Sequence, residues 1–275
     1  MNRIGKVFDS LEDGEGAYIP YVCTGDPDME FSLKLVEVLC DSGADILELG
    51  IPFSDPVADG RLIQEAMIRS LGGGFRCDHL FEMIRSMREI GLEQPVVVMG
   101  YYNTMLQRGL SNFCDDLAVA QGDGIIAVDL PIEECNELNE LMMERNLDLI
   151  NLISPNTPSE RRRRILDEAR GYAYLVSVAG TTGLRDSLTV KTLEMIRTVS
   201  SESELPIALG FGISKPQQAR MARDNGAKGV VEGSNIIRIY SSNLQNRRSA
   251  LDDVVDHARL MKSALQMNGD AVIDG

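Results

Sequence analysis

In FSLKLVEVLCDSGADILELG, residues 31–50, the hydrophobic period changes once. In the first part Leu33, Leu35, Val36, Val38 and Leu39 fall mainly on one stripe, as in an amphipathic helix, and Gly43 supplies the stop. DILELG then forms a short β-favouring run. Further strand-type runs lie at 17–25, 95–101, 124–130, 148–154, 173–178, 206–212 and 229–234. They are nearly continuous in Val, Ile and Leu, as parallel strands covered on both faces require. Helical periodicity fills the segments between them, and no Pro/Gly/Ser-rich linker divides the chain. Eight strands, each followed by a helix, predict a (β/α)8 barrel, an α/β fold, in one domain over 1–265. An extra helix is expected over 1–10, and QMNGDAVIDG (266–275) reads as a loose tail.

Composition narrows the chemistry. The 275 residues carry a net charge of -15, with 44% apolar and 25% charged side chains. Such a chain buries a sizeable core, and its charge opposes binding to nucleic acid or to an anionic membrane surface. No apolar run reaches the roughly 18 residues of a membrane span. The five cysteines show no metal-type spacing and no signal peptide is evident, so reduced, mostly buried thiols in a cytoplasmic protein are expected. Only His79 and His257 are present, both in segments that read as helix surface. A His-based metal site or Ser-His-Asp triad is therefore excluded in practice, leaving carboxylates, Tyr or Lys for acid–base work. The run Arg161–Arg164 precedes Asp167 and Glu168 at pairing distance, which reads as a solvated helix face rather than an anion site.

Function in such a barrel sits on the loops leaving the carboxyl ends of the strands. At the last two strands, GFGIS (210–214) and EGSNI (232–236) place Gly210, Gly212 and Gly233 before helix starts. Bare N–H groups and helix amino termini there suit a phosphate, although glycines also serve simply to turn the chain. AGTTGLRDSLTVK (179–191) reads either as a lid hinged at Gly180 and Gly183 or as an inert loop. Within DILELG, alternation sends Leu47 and Leu49 toward the helices and Glu48 into the barrel mouth. A carboxylate buried there is either functional or capped by a neighbouring hydroxyl, and desolvation raises its pKa toward neutrality. Asp59 stands in ADG, a common turn; Asp55 reads as a loop-shaping residue and Glu65 as solvated helix surface.

LELGIPFSDPVADG, YIPYVCTGDPD, GYYN, DLP, GYAYLVS, GTTG, GFGIS and EGS together resemble the tryptophan synthase alpha subunit family, from about residue 15 to about residue 240. The resemblance implies a barrel that cleaves indole-3-glycerol phosphate to indole and glyceraldehyde 3-phosphate, a retro-aldol step without a cofactor. It implies Glu48 as general acid–base and Asp59 as the carboxylate on the indole N–H. Tyr174 would be the active-site tyrosine and Thr182 the lid threonine that orients Asp59. Gly183, Gly212, Gly233 and Ser234 would cradle phosphate. Tyr21, Met99, Tyr101, Val128 and Ile153 would line an apolar indole slot, or else belong to ordinary barrel core.

The family pairs with a pyridoxal-phosphate beta subunit in an alpha2-beta2 heterotetramer, and indole is channelled to it. Pro52, Phe53, Asp55 and Asn103 would lie on that face. Arg61 after ADG and Thr104 after YYN depart from the prolines usual in the family, which alters that face and loosens the Asp59 loop. A stand-alone indole-producing lyase and a non-catalytic activating subunit are the alternatives.

Overall fold

The computed structural model describes residues 2–176 and 188–266. Nine parallel strands run β1 (Ala17–Cys23), β2 (Leu47–Gly50), β3 (Val96–Gly100), β4 (Gly124–Ala127), β5 (Asp148–Leu149), β6 (Leu152–Ile153), β7 (Ala173–Val176), β8 (Ile207–Gly210) and β9 (Gly229–Glu232). Their lateral order is β5-β4-β3-β2-β1-β9-β8-β7-β6. Only Ile150 and Asn151 separate β5 from β6, so the two ends of the sheet meet through the chain itself and the barrel closes.

The single fifth strand expected over 148–154 is therefore divided. Its first half pairs with β4 and its second half with β7. The passage between is held by Ile150 N–H on Ile125 O at 2.9 Å and Tyr174 N–H on Asn151 O at 3.0 Å. One strand thus changes partner midway, which pattern reading, sensitive only to side-chain period, does not register.

The expected first helix forms as Arg3–Ser10 and closes the amino-terminal end of the barrel. Its Ile4 is fully buried, and Phe8 meets the Tyr172 ring at 5.8 Å between centroids. The final helix, Arg247–Ala264, packs on the outside of the wall. Two helices rather than one lie between β2 and β3, Arg61–Gly72 and Cys77–Glu89. The GYYN segment opens a helix, Tyr102–Arg108, whose first N–H donates to the Asp129 carboxylate of DLP at 2.7 Å.

Three of the four consecutive arginines are paired: Arg161 with Glu133, Arg162 with Glu202 and Arg164 with Glu168. Among the described residues no helix is long and apolar enough to cross a membrane. All five cysteines are free thiols, four of them buried. The tail beyond Gln266 lies outside the described residues.

Candidate active site

The carboxyl ends of the strands open onto a pocket of about 500 Å³, part of it open to solvent. Glu48, Tyr21, Met99 and Tyr174 form its floor and walls, Asp59 enters from the loop after β2 and Ile63 from the helix that follows it, and Gly212, Gly233 and Ser234 edge it at the ends of β8 and β9. Strand alternation places these groups. Glu48 faces inward from β2 while Leu47 and Leu49, fully buried, face outward.

Two glycines make room for the aromatic walls. A Cβ on Gly50 would stand 2.0 Å from Tyr21 Oη, and one on Gly210 would stand 2.1 Å from Tyr174 Oη. Each tyrosine lies across the bare end of the next strand. Gly210 accordingly admits a side chain rather than a ligand, a correction to its place among the phosphate-binding candidates. Gly212 differs: its φ of +81°, beside Phe211 at +67°, turns the backbone sharply at the pocket edge. Ser234 begins the helix Ser234–Ser241, so its N–H belongs to a helix amino terminus.

Glu48 is 1% exposed, and its Oε2 has no hydrogen-bond partner among the described residues. Burial, and secondarily the Asp59 charge, push its pKa up to about 8. The capped alternative is therefore disfavoured: neighbouring tyrosines surround this carboxyl, yet Tyr21 Oη and Tyr172 Oη are themselves unpartnered. Burial also holds the hydroxyls of Tyr21 and Tyr174 protonated, with pKa values well above the ordinary phenol.

Asp59 is 4% exposed, and burial raises its pKa while a hydrogen bond from Tyr101 opposes the rise. Tyr101 Oη donates to Asp59 Oδ2 at 2.7 Å and accepts the Ala58 N–H at 2.9 Å. The Tyr101 ring stacks on Phe53 at 4.8 Å, and Gln64 Nε2 donates to the Asp59 carbonyl at 2.8 Å. The loop is thus stitched to β3 and to its own helix. The exposed Arg61 pairs with Glu65 at 2.7 Å without entering this stitching.

Of the five residues expected to line an apolar slot, Tyr21 and Met99 do so. Tyr101 serves Asp59 instead, Ile153 is fully buried in the core, and Val128 lines a separate cavity with Asn151 and Arg161. Asp55 and Asn103 are exposed, as an interface needs, and Phe53 is half-buried. Pro52 is buried and offers no docking surface, a correction to its expected place there. Thr182 and Gly183 lie outside the described residues.

Of the two histidines, His79 accepts the Arg76 N–H at a helix start, whereas His257 is not free surface: its Nε2 lies 2.7 Å from the buried Glu232. Sequence reading missed Glu232, although a Glu closing the apolar run GVVE is the same signal that marked Glu48.

The model of the family described as "Tryptophan synthase alpha chain" matches residues 8–266. A relative of that name from Methanothermobacter thermautotrophicus is 42% identical, covering 90% of this chain and 92% of its own. Another, from Methanoregula boonei, is 40% identical over 97% and 99% of the two chains. Among solved structures, the Legionella pneumophila tryptophan synthase alpha chain superposes with a TM-score of 0.87 at 34% identity, covering 96% and 97%. A Mycobacterium tuberculosis tryptophan synthase structure reaches 0.88 at 31% identity, covering 97% and 99%.

Proposed function

This chain belongs to the tryptophan synthase alpha chain family, and from that premise we propose how its pocket divides the work of the reaction. The protein is an alpha subunit of tryptophan biosynthesis, a lyase that splits indole-3-glycerol phosphate into indole and glyceraldehyde 3-phosphate and works with a beta subunit. Glu48, protonated at the start, gives its proton to indole C3. The indolenine that forms carries positive charge toward its N–H, which Asp59 holds and stabilises. The Glu48 carboxylate then takes the proton of the C3′ hydroxyl, the C3–C3′ bond breaks, and its electrons return to the ring. Indole and an aldehyde leave, and Glu48 is protonated again.

The observation that carries this assignment is a buried, unpartnered carboxyl with a pKa near neutrality, in one pocket with a second carboxylate. Tyr21 and Met99 offer the indole ring apolar contact, Tyr174 borders the reacting atoms, and the N–H groups around Gly212, Gly233 and Ser234 receive the phosphate. Proton transfer and charge stabilisation come from the chain's own carboxylates, so this half-reaction needs no cofactor; pyridoxal phosphate belongs with the beta subunit. Asp55 and Asn103 stand on the exposed rim where that subunit docks.

The deciding experiment is indole release from indole-3-glycerol phosphate, with and without a beta subunit. Turnover that rises on adding beta subunit is expected; equal turnover would mark a stand-alone lyase, and none in either case a non-catalytic subunit.

Two further results follow from the geometry. Because catalysis begins from the protonated carboxyl, kcat/KM should fall as pH rises through about 8. A profile flat between about pH 6 and pH 9 would remove Glu48 from the acid role. Tyr101→Phe deletes the donor to Asp59 and the acceptor of Ala58 N–H, leaving a buried carboxylate less well held. A loss of roughly tenfold in kcat/KM is expected, mostly in kcat, measured at saturating and limiting substrate. Unchanged kinetics would mean the loop holds Asp59 without that hydroxyl.

A further inference from the structure

The pocket edge formed by the ends of β8 and β9 is fastened by a polar network that the chemistry above does not use. Glu232 ends β9 and is fully buried. Since Val231 and Gly233 line the pocket, Glu232 points the other way, between the barrel wall and its helices. Its carboxylate meets Tyr18 Oη at 2.8 Å, Asn235 Nδ2 at 2.7 Å and His257 Nε2 at 2.7 Å.

The network assigns the roles: with Glu232 as the shared acceptor, Tyr18, Asn235 and His257 all donate, which places the His257 proton on Nε2. Asn235 has one amide hydrogen left, and it goes to Ser214 O at 3.2 Å. The 3.1 Å separation of Asn235 Nδ2 from His257 Nε2 is then two donors converging on one oxygen. Asn235 Oδ1 accepts from Arg238 at 2.7 and 3.1 Å, so the amide is fully engaged and cannot flip.

Ser214 is gripped at both of its backbone groups. Asn235 holds its carbonyl, while Gln218 Oε1 accepts its N–H at 2.8 Å and the Lys215 N–H at 3.0 Å. Ser214 lies two residues past Gly212, and Asn235 two past Gly233. One side chain therefore ties the loop after β8 to the helix start after β9.

We propose that Asn235, locked by the buried Glu232–His257 pair, is a positioning residue that sets the separation of Gly212 from Gly233 and Ser234 and thereby the affinity for the substrate phosphate. This rests on the reading of that pocket edge as the phosphate site.

The test measures kcat and KM for indole-3-glycerol phosphate and the competitive Ki of inorganic phosphate, using the full chain with beta subunit. Asn235→Ala should raise KM and Ki together by about tenfold, with kcat within about twofold. His257→Leu should move both in the same direction by a smaller factor, and His257→Gln, which keeps an N–H donor, should stay within about twofold of the parent. Unchanged KM and Ki in Asn235→Ala, or a loss confined to kcat, would overturn the proposal. So would equal behaviour of the two His257 variants, which also decides the matter should Asn235→Ala not fold. If inorganic phosphate fails to compete in the parent protein, the phosphate site and the proposal fall together. If it competes with the same Ki in parent and Asn235→Ala, only the positioning role falls.

Discussion

Replacing Glu48 with Gln should lower kcat for indole formation by roughly a thousandfold and leave KM within about threefold, the loss expected when a general acid–base group is removed and its shape kept. Gln fills the same space on β2, but it neither gives a proton to carbon nor takes one from the hydroxyl. Activity near that of the parent would end the assignment.

The same variant carries its own evidence of folding. Burial raises the folded-state pKa of Glu48 from 4.5 to about 8. Across that window the folded chain holds a proton that the unfolded chain has released, so stability falls as pH rises and levels off above about 8. Glu48→Gln does not titrate. It should therefore unfold at higher urea than the parent above pH 8, with the difference closing as pH falls toward 4.5. A variant more stable and nearly inactive at the same pH is the signature of a residue kept for chemistry rather than packing.

Asp59→Asn should lower kcat by about a hundredfold to a thousandfold, the range for removing one preorganised charge-stabilising group from a dry site. The amide can still accept from Tyr101, so the loop keeps its stitching while the anion facing the indolenine is lost. Phosphate competition should be unchanged, because the phosphate edge is built from the segments after β8 and β9 and Asp59 belongs to the loop after β2. There is a second, directional readout. The Asp59 charge contributes to the raised pKa of Glu48, so the falling limb of the pH–rate profile should move to lower pH in Asp59→Asn. A limb that stays in place would mean the two carboxylates do not sense each other.

Much of this site is visible in the residues alone, for reasons that differ along the chain. Glu48 is legible because alternation in DILELG leaves a charged side chain on the inward face, where solvation is lost. The barrel is legible because eight helix–strand exchanges leave no other closed arrangement of one domain. Asp59 is not, since ADG is ordinary turn sequence. Only family resemblance raises it, and the pocket that holds it supports that reading. Tyr101 enters only through the family resemblance, as a slot residue, and its work on Asp59 leaves no local signal because that partner comes from a loop 42 positions away. His257 is misread for a similar reason: its helix is amphipathic, but its partner Glu232 lies 25 positions earlier on a strand. Pairings between remote segments leave no mark on local periodicity. The division of the fifth strand escapes for another reason, because side-chain alternation does not say which neighbour each backbone group faces.

That divided strand gives the barrel an uneven compliance. Around the rest of the wall each strand is laddered on both flanks, and β1 shares four register positions with β9. At Ile150 and Asn151 the continuity of the wall passes through covalent bonds, with β5 laddered only to β4 and β6 only to β7. The ladder belonging to residues 17–149 ends on one side of this junction and that of residues 152–232 on the other. A change of curvature there bends two residues and breaks no complete ladder. Seen this way the barrel is a sprung ring with its split at the junction, beside the cavity that Val128 and Asn151 line, and the stiff arc opposite carries Tyr21 and Glu48. A change of curvature at the junction would leave the β1–β2 ladder, and with it the reacting carboxyl, untouched.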